Sequence, residues 1–251
     1  MIKLSQVSKV YKTGTVALQD LNLEIPESQF VSLVGASGCG KSTVLRLIAG
    51  LGNVSSGTID WGITEAQKKL AFVFQDAALM PWATVKDNIR LPLQLTGISP
   101  QNSHILVQQS LKLVGLESSA HSYPRQLSGG MKMRVSIARA LVTQPKILLM
   151  DEPFGALDEI TRSKLNSDLL DLWLQHRWTV VFVTHNIYEA VYLSNRVLVM
   201  GTSPGRVVAD IQIDAPYPRG DDFRTSSVYN DYCRQVSQHL AKAMNYSSTK
   251  L

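Results

Sequence analysis

A chain of 251 residues, 45% of them hydrophobic, can bury a sizeable core. It offers no run near the ~18 apolar residues of a membrane span, and its start, Met1-Ile2-Lys3-Leu4-Ser5, lacks the apolar stretch of a signal peptide. Lys and Arg number 25 against 20 Asp and Glu, a net charge of +5, but only 18% of residues are charged and no long basic block occurs; the excess favours an anionic partner (nucleotide, nucleic acid or lipid surface) without selecting one.

From Met1 to about Ile25 apolar and polar residues alternate in places, as in Leu21-Asn22-Leu23-Glu24-Ile25, which predicts antiparallel strands. Phe30 to Val34 is a short apolar run entering a glycine-rich loop, and Val44, Leu45, Leu47 and Ile48 then recur at helical spacing up to Gly50. Between Val85 and Leu141 the pattern is helical, with Ile105, Leu106, Leu111, Leu113 and Val114, broken by Pro92, Pro100 and Pro124; this predicts a helical subdomain inserted into the core. Ile147 to Met150 and Val180 to Val183 are continuous apolar runs, as expected of parallel strands buried on both faces, and Arg196 to Met200 is a candidate third. After Ser203-Pro204-Gly205-Arg206 come a predicted strand at Val207 to Ile213, breaks at Pro216 and Pro218, and a final amphipathic helix from about Ser226 to Met244. The expected fold is α/β, in one domain.

The loop Gly35-Ala36-Ser37-Gly38-Cys39-Gly40-Lys41-Ser42 matches the phosphate-loop pattern between a strand and a helix, the context that pattern requires. Its glycines let successive backbone N–H groups face one anion, and the helix that follows adds its positive end. Lys41 is placed to reach the β- and γ-phosphates, the Ser42 hydroxyl to ligate Mg²⁺, and Thr43 to add an α-phosphate contact. Cys39 reads as a small filler of this tight loop; with Cys233 it makes two thiols without metal-ligand spacing, which suit a reducing compartment. At the end of the Ile147 run, Asp151 is expected to hold Mg²⁺ through a water and Glu152 to act as general base, since neighbours on an extended chain point in different directions.

Between these elements stands Leu127-Ser128-Gly129-Gly130-Met131. With it, the order of motifs resembles the ABC transporter ATPases over nearly the whole chain, from Tyr11 to about Arg206. The resemblance implies a phosphate-loop core with an antiparallel β-subdomain and an inserted helical subdomain. It also implies roles. Tyr11 stacks on adenine, worth roughly 1–3 kcal/mol by analogy with base stacking. Gln75 joins the metal site to the helical subdomain and His185 is the switch histidine beside the γ-phosphate. Ser128, Gly129 and Gly130 cap a helix facing the ATP of the opposite subunit in a head-to-tail dimer, and the Ala156-Leu157-Asp158 loop crosses the dimer interface. Met131 departs from the commonest pattern, which has Gln there, so any nucleotide contact of that Gln is in doubt.

Leu79-Met80-Pro81-Trp82 is too apolar for a solvated loop and should bury Trp82, either in the helical subdomain itself or against a helix of a membrane subunit docked beside Gln75. The Met-Pro-Trp element, Met131 and Ser203-Pro204-Gly205-Arg206 together resemble the nitrate, sulfonate, taurine and bicarbonate importer branch. That implies ATP and Mg²⁺, a homodimer or a heterodimer with a related ATPase, separate membrane permease subunits, and a periplasmic or lipid-anchored substrate-binding protein. The expected location is the cytoplasmic face of the inner membrane, with no nucleic acid bound. The alternatives are an ATPase of a lipid or lipoprotein extrusion or cell-division complex, and a soluble ABC ATPase acting on DNA or the ribosome.

Overall fold

The computed structural model describes residues 1–62, 69–202 and 204–248, with side chains through 244. Contacts divide the chain into two units, Met1–Lys68 with Arg177–Leu251, and Lys69–His176.

In the first unit, β1 (Ile2–Val10) pairs antiparallel with β2 (Val16–Ile25), as the alternation predicts, burying Ile2, Leu4 and Val7 on one face. The other edge of β1 carries β4 (Ser56–Asp60), which the sequence reading did not contain. A second sheet in this unit has the order β7 (Thr179–Thr184), β3 (Phe30–Gly35), β8 (Arg196–Gly201), β9 (Arg206–Gln212), parallel except for β9. β3 and β7 are buried at every position, which is why they read as largely apolar runs, with Ser32 the polar exception within β3. Helix α1 (Lys41–Ile48) starts directly from the glycine loop that β3 enters.

The second unit pairs β5 (Leu70–Val73) in parallel with β6 (Ile147–Asp151) and contains α2 (Val85–Leu95), α3 (Pro100–Leu113), α4 (Gly129–Leu141) and α5 (Glu159–His176). The stretch 85–141 is thus helical as expected. Its core joins Val85, Ile89, Leu93, Leu111, Val135 and Ala138, with Leu79, Leu106 and Met131 packed against it.

The C-terminal tail adds α7 (Asp221–Thr225), which was not predicted, and α8 (Ser227–Ser248) to the first unit, where α6 (Ile187–Leu193) also belongs. What fastens the tail is Arg219, only 3% exposed. Its Nη1 donates to the carbonyls of Val191, Tyr192 and Ser194, each at 2.9 Å, and its Nη2 to those of Ile213 and Ala215 at 3.3 and 3.1 Å. The guanidinium therefore satisfies orphan carbonyls at the C-terminal end of α6, where a cation is also favoured by the helix dipole. It lies 4.2 Å from the centre of the Tyr217 ring. Arg219→Ala would strand several buried carbonyls at once, at a cost of at least about 3 kcal/mol, and Arg219→Lys should recover part of it. Urea unfolding checks this; a midpoint unchanged in the alanine variant would refute it.

Candidate functional site

The phosphate loop runs from the end of β3 into α1. Gly40 has φ of 96°, and a Cβ there would stand 2.7 Å from Leu18 Cδ2 and 2.9 Å from the Ala17 carbonyl, so the position is closed to any other residue. Lys41 is buried, its Nζ donating to the carbonyls of Gly35 (2.9 Å) and Ala36 (3.1 Å), which places the ammonium inside the curl of the loop. Ser42 and Thr43 follow in the first turn of α1, which contains no acid to offset the positive helix end. Tyr11 is 41% exposed, which rules out a role as core filler, and its hydroxyl lies 3.2 Å from Thr43 Oγ1. The ring is thus held beside the loop, partly exposed, with Lys9 Nζ 5.4 Å from its centre. Cys39 is buried, as a filler should be, and so is Cys233, whose thiol burial pushes up to about 11.

His185 stands exposed at the end of β7. The two residues that flank it are locked. Thr184 Oγ1 donates to the buried Glu189 carboxylate at 2.6 Å and accepts from Asn186 N–H at 3.0 Å. The Asn186 side chain in turn caps α6, accepting from the N–H groups of Tyr188 (2.9 Å) and Glu189 (3.3 Å). Sequence reasoning found His185 and missed this support, although Asn186 with Glu189 three residues on is a helix-start signal.

In the second unit Asp151 closes β6 and is half-buried. Glu152 does not continue the strand. Its φ is 45°, in the left-handed region and immediately before Pro153, so the chain turns here through a strained backbone, and the alternation expected of neighbours on an extended chain does not apply to this pair. Asp158 is exposed and is the acceptor that caps α5, taking the Thr161 N–H at 3.0 Å; that bond holds its carboxyl below the usual range. Arg162 donates back to the Phe154 and Leu157 carbonyls and so fixes the loop that carries Asp158.

Ser128 is the N-cap of α4, its Oγ accepting from Met131 N–H at 3.2 Å. Ser128 and Gly129 are exposed and Gly130 is buried, and no acid sits in the first turn to offset the positive end of α4. The Met131 side chain packs on the helical core. Further along α4, Arg139 donates to the carbonyls of Ala77 (2.7 Å) and Ala78 (2.8 Å), tying this helix to the segment just after the exposed Gln75.

The segment that follows is preformed. Asn88, fully buried, donates to the carbonyls of Met80, Ala83 and Thr84 and accepts from Met80 N–H at 2.8 Å. Leu79 turns onto the helical core, while Trp82 is 76% exposed. Of the two expectations for Trp82, burial within its own chain is therefore overturned: a rigid loop holds it out. Ser203, part of the tail motif, lies outside the described residues.

Ser42, Gln75 and Asp151 offer hard oxygen donors, the chemistry Mg²⁺ selects. Among the described residues no cluster of three or more His, Cys, Asp or Glu could hold a metal. Oxygen donors taken one or two at a time suit an ion that shares the rest of its coordination with phosphates. Among the described residues no helix is long and apolar enough to cross a membrane.

A family model described as ABC transporter matches residues 18–155. The aliphatic sulfonates import ATP-binding protein of Bacillus cereus is 42% identical over 245 residues, covering 95% of each chain. Among solved structures, a dimeric ATP-binding cassette in a post-hydrolysis state with ADP and Pi is 35% identical, with a TM-score of 0.75 over 86% of this chain and all of that one. A component of the cbiONQ ABC transporter complex of Clostridium perfringens is 26% identical, with a TM-score of 0.77 over 98% of both chains.

Proposed function

This chain belongs to the ABC transporter family and is an ATPase of that family, and from that premise we propose that it powers uptake of a small anion or sulfonate through separate membrane subunits. Support for the solute class comes from the sulfonate-import relative, matched along nearly the whole of both chains.

In this reading Lys41 and the loop N–H groups from Gly35 through Thr43, with Ser37, Gly38, Cys39 and Gly40 between, bind the phosphates, and Tyr11 stacks on the base. Ser42, Gln75 and, through a water, Asp151 would hold Mg²⁺, which would supply charge neutralisation on the phosphates. Glu152 takes the proton of the attacking water, and His185, braced by Thr184 and Asn186, donates toward the γ-phosphate. Ser128, Gly129 and Gly130 of a second copy bring the positive end of α4 to the same phosphate, and Asp158 lies in the loop that crosses between copies. Two bound ATP molecules close the dimer and hydrolysis reopens it.

The observation that carries the transport reading is Trp82, held out of its own fold by Asn88 beside Leu79 and Met80. A large ring fixed in water is a binding anchor. A pull-down of the tagged chain from detergent-solubilised native membranes should recover a small multi-span subunit and a substrate-binding protein indirectly, with no second ATPase if the dimer is of identical copies. Trp82→Ala should cut that recovery about tenfold, the effect of losing a hot-spot anchor. Recovery of ribosomal or DNA-bound proteins without a membrane subunit would overturn the reading.

A further inference from the structure

Gly205, immediately before β9, lies against the phosphate loop. Gly205 N–H donates to the Ala17 carbonyl at 3.1 Å, and the Gly205 carbonyl accepts from Gln19 N–H at 3.2 Å, so Gly205 is stitched to β2. A Cβ on Gly205 would stand 2.3 Å from the Cys39 carbonyl oxygen and 2.6 Å from that of Ala17. Both are backbone atoms, which cannot swing aside as a side chain can. Gly40 approaches the same Ala17-Leu18 stretch. The Cys39-Gly40 peptide is therefore confined between β2 and Gly205. Because a peptide is planar and trans, the place of the Cys39 oxygen fixes the direction of the Gly40 N–H, one of the donors that the loop offers to phosphate.

We propose that Gly205 is a positioning residue for the nucleotide: its bare Cα sets the direction of the Gly40 N–H, and through it the affinity for ATP, without touching ATP itself. The proposal rests on the reading of Gly35 to Ser42 as the phosphate loop, and it gives the tail motif a physical role beyond marking a subfamily.

The test compares purified full-length Gly205→Ala with wild type, by titration of a fluorescent ATP analogue with Mg²⁺ and by steady-state hydrolysis. The variant should raise Kd and KM at least about tenfold, with kcat changed no more than about threefold, as loss of binding felt equally in ground and transition states does. Gly201→Ala is the control, because its Cβ would meet the Val208 side chain at 2.9 Å and the Arg206 carbonyl at 4.0 Å, neither of them in the phosphate loop. Its Kd should stay near wild type. A folded Gly205→Ala protein with wild-type Kd and KM overturns the proposal, as does an equal rise in both variants.

Should Gly205→Ala not fold, amide exchange of the wild type decides. Mg-ATP should slow exchange at Gln19 and Gly205 together with residues 35–43. Protection of 35–43 alone overturns the role of Gly205. Absence of protection at 35–43, with no hydrolysis, overturns the phosphate-loop reading and this proposal with it.

Discussion

Lys41→Ala should reduce ATP hydrolysis by at least about 10²-fold, the size of effect seen when one preorganised donor to a developing anion is removed. The reason lies in where the ammonium is. It is buried within the loop and hydrogen-bonded to the Gly35 and Ala36 carbonyls, so it meets an entering phosphate at close range and partly shielded from water. Those two carbonyls would also lose a partner, at about 1–3 kcal/mol for each buried group stranded. Affinity and stability should therefore fall together. Lys41→Arg should not rescue turnover, since a planar guanidinium does not reproduce a compact ammonium in so tight a curl. Steady-state hydrolysis and a binding titration, both on protein shown to be folded, check this. Wild-type turnover in Lys41→Ala would remove the loop from the active site.

The neighbourhood of Lys41 was legible because its determinants are local: a largely apolar strand, glycines at fixed offsets and a helical repeat lie within a single stretch from Phe30 to Ile48. Ser128 was legible for the same reason, being a cap written next to its helix. The less visible parts are held by pairing or by distant backbone. Strand β4 is exposed at nearly every position and has no alternation; it is a strand because Lys3 and Leu4 of β1 pair with Asp60 and Ile59. Helix α5 is weakly amphipathic, its buried Leu165, Leu169, Leu170 and Trp173 confined to its later turns. Arg219 looks in sequence like a surface residue of a proline-broken tail, and only the folded chain brings the carbonyls of residues 191–194 to it. The close contact of Gly205 with Cys39 joins residues that no window of sequence contains. Trp82 is anomalous in the sequence, but only the folded chain shows that its own fold does not bury it.

Glu152→Gln should keep ATP binding and lose turnover by about 10²–10⁴-fold, the usual contribution of a general base. The amide preserves the shape of the side chain and its capacity to accept a hydrogen bond from water, but it cannot take the proton. ATP should then accumulate uncleaved and hold two copies together, so that gel filtration with Mg-ATP shows a dimer in the variant and a mixture with monomer in the wild type. The backbone supplies an independent readout. At φ of 45° ahead of Pro153, any residue with a Cβ is strained, and Gly is not. Glu152→Gly should therefore be more stable than Glu152→Ala by about 1 kcal/mol while both are inactive. A glycine variant that gains stability as it loses turnover would mean that strain is kept at this position for the placement of a carboxylate. Rapid multiple turnover by Glu152→Gln would assign the proton to another acceptor, and equal stability of the Gly and Ala variants would remove strain from the account.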